Sequence, residues 1–179
     1  MKSYTSIFIG RRFINWRAVR SVRGALALFL ASGFGVGLLP LAPGTWGTGV
    51  GIAVVWAIAD LSAGLRALVW VLLFAVGVWA AKVVDELMKT DDNQNTVMDE
   101  VVGVGVTAWF AGRDARALVA AFILFRVFDI VKPWPVRWID RMTKGRSPWV
   151  GGFGVMADDL AAGVQGLLVM IGLRALGWL

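Results

Sequence analysis

Apolar stretches separated by short polar segments dominate the chain. They are rich in Ala, Leu and Val without strict alternation of apolar and polar positions, which favours helices over strands. The stretches cover residues 26–41, 50–59, 67–84, 101–111, 117–131 and 160–179. Because a helix needs about 20 residues to cross the hydrocarbon of a bilayer, only 67–84 and 160–179 approach a full span. We expect the others to extend into flanking residues, to re-enter, or to lie buried.

The composition indicates that lipid surrounds much of the chain. Apolar residues make up 58% of the 179 positions and charged residues only 17%, unlike the balance of a soluble domain. The ten Trp residues either fill a core or, as we favour, lie where headgroups meet hydrocarbon. Since lipid permits only helices or closed barrels, we predict an all-α fold, a polytopic membrane helical bundle with short, broken or re-entrant helices.

Positive charge is concentrated at the start of the chain. The basic residues that precede the first acidic residue, Asp60, are Lys2, Arg11, Arg12, Arg17, Arg20 and Arg23. We therefore predict a basic cytoplasmic or interfacial arm over residues 1–24 and a single membrane-embedded domain over residues 25–179. The arm is expected to bind anionic lipid. Nucleic acid is not an expected partner, because no basic stripe with interleaved aromatic residues continues into the apolar body.

The loop over residues 132–148 predicts the orientation of the bundle. Its basic residues are Lys132, Arg137, Arg141, Lys144 and Arg146, and its single acidic residue is Asp140. Such a basic loop is expected on the cytoplasmic side. If 50–84 and 101–131 each form a helical hairpin, the polar segments 40–48, 85–100 and 132–159 return to that same side.

The chain has no Cys and no His. This excludes disulfides, thiol nucleophiles, His-ligated metals and phosphatase chemistry that runs through histidine or cysteine. Hydrolysis by this chain would rest on carboxylates, hydroxyls, cations and metal-bound water.

A Pro/Gly turn over residues 41–48 is the first candidate site. It places Gly44, Thr45 and Thr48 at the start of an apolar helix, where exposed backbone N–H groups suit a phosphate. The same residues would equally form an ordinary helix cap.

Two acidic pairs bracket the polar loop over residues 91–100. Asp91 and Asp92 would often be the solvated start of a helix, whereas Asp99 and Glu100 directly precede an apolar run. Charges at such a boundary are costly without a partner, and carboxylate oxygens suit Mg²⁺.

Charged residues also interrupt the apolar run over 117–131. Arg126, Asp129 and Lys132 are three residues apart and share one helical face, and Pro133 ends the helix. Charges in such a run usually mark function, although an Arg–Asp pair that satisfies itself is the alternative.

A Gly-rich segment over residues 151–154 precedes Asp158 and Asp159 at the start of the last apolar stretch. We expect a flexible loop that leads into the final helix. One acidic residue would satisfy the helix N-terminus, but two are more than a cap requires.

Gathered near lipid, these carboxylates would repel one another, and some would be protonated unless a cation were present. The residues concerned are Asp99, Glu100, Asp129, Asp158 and Asp159. A divalent ion resolves the conflict, and Arg126 and Lys132 would then hold a phosphate bound to that ion.

These motifs, in this order and spacing, resemble the phosphatidylglycerophosphatase A family. The resemblance rests on residues 33–45, on Asp92 with Asp99, Glu100 and Gly103, on 125–135 followed by Asp140 and Arg141, and on 152–159 with Gly163. It implies Mg²⁺-dependent hydrolysis of phosphatidylglycerophosphate to phosphatidylglycerol at the cytoplasmic face of a bacterial inner membrane. It also implies a helical bundle around one central helix.

The resulting hypothesis assigns a role to each site residue. The catalytic residues are Asp99, Glu100, Asp129 and Asp159; the substrate-binding residues are Gly44, Thr45, Arg126, Lys132 and Arg141; the Mg²⁺ ligands are Asp92, Asp99, Glu100, Asp129, Asp158 and Asp159. One carboxylate takes the proton of the attacking water, although an aspartyl nucleophile is an alternative.

Two functions of other classes remain open from the sequence. A small ion-coupled transporter would also have broken helices and intramembrane charges, but it needs routes to both faces. A CDP-alcohol phosphotransferase is metal-dependent too, but its Asp-Gly-x-x-Ala-Arg pattern is missing.

Overall fold

A computed structural model describes residues 6–9, 12–15, 18–143, 145 and 147–179 of the chain. Within these residues the chain forms one antiparallel hairpin, two short 3₁₀ turns and seven α-helices. The hairpin pairs β1 (Ser6–Ile9) with β2 (Arg12–Asn15). The helices are α1 (Val22–Ala31), α2 (Pro43–Ala57), α3 (Ala63–Met88), α4 (Met98–Thr107), α5 (Ala115–Val131), α6 (Val136–Thr143) and α7 (Pro148–Ala175).

Local sequence signals set several helix ends. The side chains of Ser62 and Asp114 cap α3 and α5 by accepting hydrogen bonds from backbone N–H groups of the first turn, at 3.3 and 2.7 Å. Pro43 and Pro148 lie in the first turns of α2 and α7, where a missing N–H removes no helical hydrogen bond. These positions bring the polar segments between helices to defined ends of the bundle.

Helix α7 is the central helix and contacts α3, α4, α5 and α6. Its crossing with α4 is close because glycine faces glycine there: a Cβ on Gly163 would overlap the carbonyl oxygen of Gly103. Beside this contact Thr107 Oγ1 donates a hydrogen bond to Gly163 O at 3.1 Å. The crossing fixes the relative height of the acidic residues that α4 and α7 carry.

The predicted helical fold is confirmed over the body of the chain, where every apolar stretch contributes to a helix. The hairpin is the exception, since β1 and β2 lie within the basic segment expected over residues 1–24. Helix α1 begins at Val22, also inside that segment, and packs against α3. The division into an arm and a domain stays a prediction.

The Gly-rich segment over residues 151–154 is helical, which corrects the expectation of a flexible loop. Helix α7 starts at Pro148 and contains the whole segment. Two of its glycines are required for packing: a Cβ on Gly152 would lie 2.7 Å from a carbonyl oxygen of α3, and one on Gly154 would overlap a threonine of α6. The two acidic residues that follow therefore lie within α7, so capping of the helix N-terminus does not explain them.

Two helices of the described residues are long and apolar enough to cross a membrane. They are α3, with 26 residues, and α7, with 28 residues. Helix α1 is apolar but has only 10 residues. The candidate spans α3 and α7 pack against each other.

Candidate active site

The acidic segments of the chain meet in one cavity of about 320 Å³. It lies at the end of the bundle where α2 and α4 begin and α5 ends. The lining residues are Pro43, Asp92, Gln94, Thr96, Asp99, Glu100, Asp129, Lys132, Val155, Asp158 and Asp159. Carboxylates far outnumber the cations of this wall, so the cavity attracts positive charge.

Asp99 and Glu100 begin α4 with buried carboxylate oxygens. Asp99 Oδ1 and Glu100 Oε2 receive no hydrogen bond from any donor of the described residues. One oxygen from each of Asp99, Glu100 and Asp159 lies within 4.8 Å of the others. Buried carboxylates this close together are stable only with bound protons or a shared cation.

Burial controls the protonation of the pair at the start of α4. Loss of hydration raises the pKa of Asp99 well above its usual range, and the neighbouring charge of Glu100 raises it further. Burial also raises the pKa of Glu100 to about 8; the charge of Asp159 adds to this shift and Arg126 opposes it. Glu100 therefore largely keeps its proton at neutral pH, and burial favours the protonated form of Asp99 as well, unless a cation replaces the protons.

Arg126 connects α5 to α4 through two carboxylates. Its Nη1 donates a hydrogen bond to Asp129 Oδ2 at 2.7 Å and lies 3.8 Å from Glu100 Oε1. Gly44, in the first turn of α2, lies directly against this group: a Cβ there would overlap Glu100 Oε1 and lie 2.8 Å from Arg126 Nη1. The start of α2 thus closes one wall of the site.

Lys132 caps α5 in a left-handed conformation (φ 45°). Its Nζ forms ion pairs with Asp158 Oδ2 of α7 and, at 3.4 Å, with Asp140 Oδ1 of α6. Burial lowers the pKa of Lys132, but the charge and hydrogen bond of Asp158 more than offset this, so the pKa lies above its ordinary value. Lys132 is therefore a stable positive charge at the cavity.

Asp85 organises the loop that carries Asp92. Thr90 Oγ1 donates to Asp85 Oδ1 at 2.7 Å, and Asp92 N donates to Asp85 Oδ2 at 3.1 Å. Further along the loop, Asn93 Oδ1 accepts hydrogen bonds from Asn95 N at 3.0 Å and from Asn95 Nδ2 at 2.8 Å. The sequence reasoning missed Asp85, although an acidic residue near the end of an apolar helix was a usable signal.

The structure brings most of the predicted site residues together. Asp92, Asp99, Glu100, Asp129, Lys132, Asp158 and Asp159 line the cavity, and Gly44 and Arg126 lie against its wall. Thr45 and Arg141 do not line it: Thr45 is exposed on α2, and Arg141 is exposed on α6 beside a neighbouring groove. Asp140, which the prediction left out, reaches the site through Lys132. The individual roles of these residues stay predictions.

The donor set of the cavity fits a Mg²⁺ ion. Mg²⁺ prefers hard oxygen ligands and commonly takes one or two carboxylates together with water and substrate phosphate. Asp99, Glu100 and Asp159 provide only such oxygens, and two of these atoms are buried without a donor from the described residues.

Comparison with known proteins identifies the family. The family model "Phosphatidylglycerophosphatase A" matches residues 29–174, which include the whole cavity. A relative of that name from Escherichia coli (strain K12) is 37% identical over 146 residues, 80% of this chain and 81% of the relative. Another of that name, from Haemophilus influenzae, is 35% identical over 147 residues, 81% of this chain and 86% of the relative.

A third relative carries a different name. It comes from Bacteroides thetaiotaomicron, is 35% identical over 154 residues (81% of this chain, 91% of the relative), and is provisionally named a phosphatidylinositol-3-phosphatase. No solved structure matches the chain significantly. Because the family model covers most of the chain, including every residue of the cavity, the chain belongs to the phosphatidylglycerophosphatase A family.

Proposed function

We propose that the chain hydrolyses the terminal phosphate monoester of phosphatidylglycerophosphate, with Mg²⁺ held in the carboxylate cavity, and releases phosphatidylglycerol and inorganic phosphate. Membership of the phosphatidylglycerophosphatase A family supports both the phosphatase activity and the lipid substrate. The cluster of Asp99, Glu100 and Asp159 beside Arg126 and Lys132 carries the assignment of the site. Carboxylates and cations at one cavity suit metal-assisted attack on a phosphate.

Arg126 and Lys132 bind the phosphate oxygens in this mechanism. Their ion pairs with carboxylates hold both charges at the cavity before substrate arrives. The planar guanidinium of Arg126 can contact two phosphate oxygens at once, whereas Lys132 acts as a point charge. Gly44, in the first turn of α2, lies against Arg126 and is a further candidate contact for the phosphate, because a helix N-terminus attracts anions.

The carboxylates divide between metal binding and proton transfer. The proposed Mg²⁺ ligands are Asp99, Glu100 and Asp159, with Asp92 and Asp158 as further candidates. When bound, Mg²⁺ polarises the phosphate and lowers the pKa of water. Asp129, oriented by its hydrogen bond from Arg126, accepts the proton of the attacking water. The water oxygen forms a bond to phosphorus, the bond to the glycerol oxygen breaks, and the proton passes to that leaving oxygen.

The chain crosses a bacterial cytoplasmic membrane several times in this proposal. Besides the two long helices, α5 exposes a row of apolar side chains at Val119, Ile123 and Val127. Each lies four positions from the next along the helix, so they form one outward stripe. An apolar stripe of this kind suits contact with lipid.

Aromatic rings with stacked cations at the two ends of the bundle support this placement across the membrane. Where α2 and α4 end, Arg113 lies 4.8 Å from the ring centroid of Trp56. At the start of α7, Lys82 lies 4.2 Å from the centroid of Trp149. Such groups are typical of the two headgroup regions of a bilayer. The cavity end carries Lys132 and α6 with its basic residues Arg137 and Arg141, and we assign this end to the cytoplasmic face.

Phosphate release from phosphatidylglycerophosphate by the purified chain in detergent tests the proposal. We expect release with Mg²⁺, none with a chelator, and a loss of at least about 100-fold on Asp129→Asn. Asp60→Asn is the matched control, because Asp60 is exposed and pairs with Arg113 away from the cavity, and it should keep wild-type activity.

Each outcome has a separate meaning. Release that persists in chelator would refute the metal, and a fully active Asp129→Asn protein would refute the role of that residue. A folded wild-type chain that releases no phosphate would refute the phosphatase assignment and favour transport instead.

A further inference from the structure

Helix α6 lies beside the active site with one face buried and the other exposed. Val136 is fully buried, Asp140 accepts a hydrogen bond from Lys132, and Thr143 contacts α7 at Gly154. This inner face attaches α6 to the wall of the cavity. The opposite face carries residues that the hydrolytic mechanism above does not use.

The exposed face of α6 forms one side of a second groove, of about 370 Å³. Its polar residues are Lys132, Arg137 and Arg141, and its aromatic residues are Trp134 and Trp138. Lys132 lines both this groove and the carboxylate cavity, so the two spaces adjoin. The groove therefore combines cations with large apolar rings directly beside the site of hydrolysis.

Hydrogen bonds to neighbouring segments hold the groove in shape. Gln165 Nε2 of α7 donates to the carbonyl oxygen of Trp134 at 2.9 Å, which anchors the turn between α5 and α6. Arg137 Nη2 donates to the carbonyl oxygen of Val131 at 3.3 Å, which directs the guanidinium back across that turn. The first contact joins the groove to α7, and the second joins α6 to the end of α5.

We infer that this groove binds the phosphodiester of the lipid substrate while the terminal monoester occupies the carboxylate cavity. The inference rests on the proposed function, because that substrate carries two phosphates joined by one glycerol. The cavity combines carboxylates with a cation, as hydrolysis of a monoester requires, whereas the described residues that line the groove include cations but no carboxylate. Arg137 and Arg141 are one helical turn apart on α6, so both can contact one diester.

The aromatic residues explain how the rest of the lipid is accommodated. Trp134 is 79% exposed and Trp138 is 56% exposed, although both are large apolar side chains. Indole rings favour the boundary between headgroups and hydrocarbon. A diester held at Arg137 and Arg141 would therefore lie at headgroup depth, with its acyl chains directed into lipid.

Steady-state kinetics with product inhibition separate the two phosphate subsites. The chain, purified in neutral detergent, is compared with Arg137→Gln/Arg141→Gln on phosphatidylglycerophosphate. Inorganic phosphate serves as the inhibitor that probes the cavity, and phosphatidylglycerol as the inhibitor that probes the groove. Arg116→Gln, the same change at an exposed residue of α5 outside the groove, is the matched control.

We expect the double variant to raise KM for the substrate and the inhibition constant of phosphatidylglycerol by about tenfold each. The kcat and the inhibition constant of inorganic phosphate should stay near wild type, which also shows that the variant is folded. Arg137→Lys/Arg141→Lys should recover part of the loss, because Lys keeps the charge without the bidentate geometry.

Other results would overturn the inference. An unchanged KM in an active enzyme would mean that the groove does not touch substrate. An equal rise in the inhibition constant of inorganic phosphate would mean that the groove and the cavity are not separate subsites. An effect seen only in vesicles with anionic lipid, and not in neutral detergent, would assign the groove to bulk lipid. Inactivity of the wild-type chain would instead refute the proposed function.

Discussion

Replacing Gly44 with Ala should disable the site without unfolding the protein. The added Cβ would overlap Glu100 Oε1 and lie 2.8 Å from Arg126 Nη1, so both groups would have to move. A displacement of about 1 Å at a catalytic or binding group costs on the order of 100-fold in rate. Overpacking costs about 1–3 kcal/mol of stability, partly offset by about 1 kcal/mol from replacing Gly with Ala in a helix.

Gly49→Ala is the matched control for this change. Gly49 lies on the same helix, and apart from the adjoining residues and backbone of that helix, a Cβ there meets no atom of the described residues within 4 Å. We expect Gly44→Ala to lower kcat/KM by about 100-fold and to raise the half-saturating Mg²⁺ concentration. Gly49→Ala should keep both values and unfold at the same or a slightly higher temperature. If Gly44→Ala retained kcat/KM within about threefold of wild type, the contact between α2 and the Arg126–Glu100 pair would not matter for catalysis.

Proton linkage and one ion pair give further predictions. Mg²⁺ must displace protons from Asp99 and from Glu100, whose pKa is raised to about 8, so the half-saturating Mg²⁺ concentration should rise as the pH falls below about 8; a flat profile would contradict this. In chelator, Asp99 and Glu100 keep protons in the folded state at pH values where the unfolded chain has lost them. Folding stability is therefore highest below the unfolded pKa of these groups and falls as the pH rises to about 8, and the melting temperature should fall over the same range. Lys132→Gln should destabilise the metal-free chain by about 3 kcal/mol, because Asp158 would lose the partner of its buried charge. Arg23→Gln, which removes an exposed ion pair with α3, should cost less than about 1 kcal/mol, and equal losses of stability in denaturant unfolding would refute the comparison.

The sequence alone determined that the apolar segments are helical and which chemistry is available. Long apolar runs predicted α3 and α5, and the Pro/Gly turn over residues 41–48 predicted the start of α2, because these signals act through neighbouring residues of the same segment. The lack of His and Cys limited catalysis to carboxylates, hydroxyls and cations before any fold was known. The motifs also indicated the family, because their order and spacing are properties of the chain itself.

Whether the Gly-rich segment over residues 151–154 forms a loop or a helix was decided by tertiary structure. Its glycines suggested a loop, but the segment forms the first turns of α7. There α3 packs so closely against Gly152, and α6 against Gly154, that only glycine fits at these two positions. Local composition predicts flexibility at such a segment, whereas close packing between helices can require the same residue for its size. Nothing within the segment distinguishes the two cases.

The arrangement of the carboxylates was also decided only by tertiary structure. Asp99 and Glu100 meet Asp159, while the adjacent Asp158 turns to Lys132. These partners are far apart along the chain, and the glycine contact between α4 and α7 sets which of them meet. The pattern of one helix defines the face on which a residue lies. It does not define the height at which that face meets another helix, because packing against residues distant in sequence sets that height.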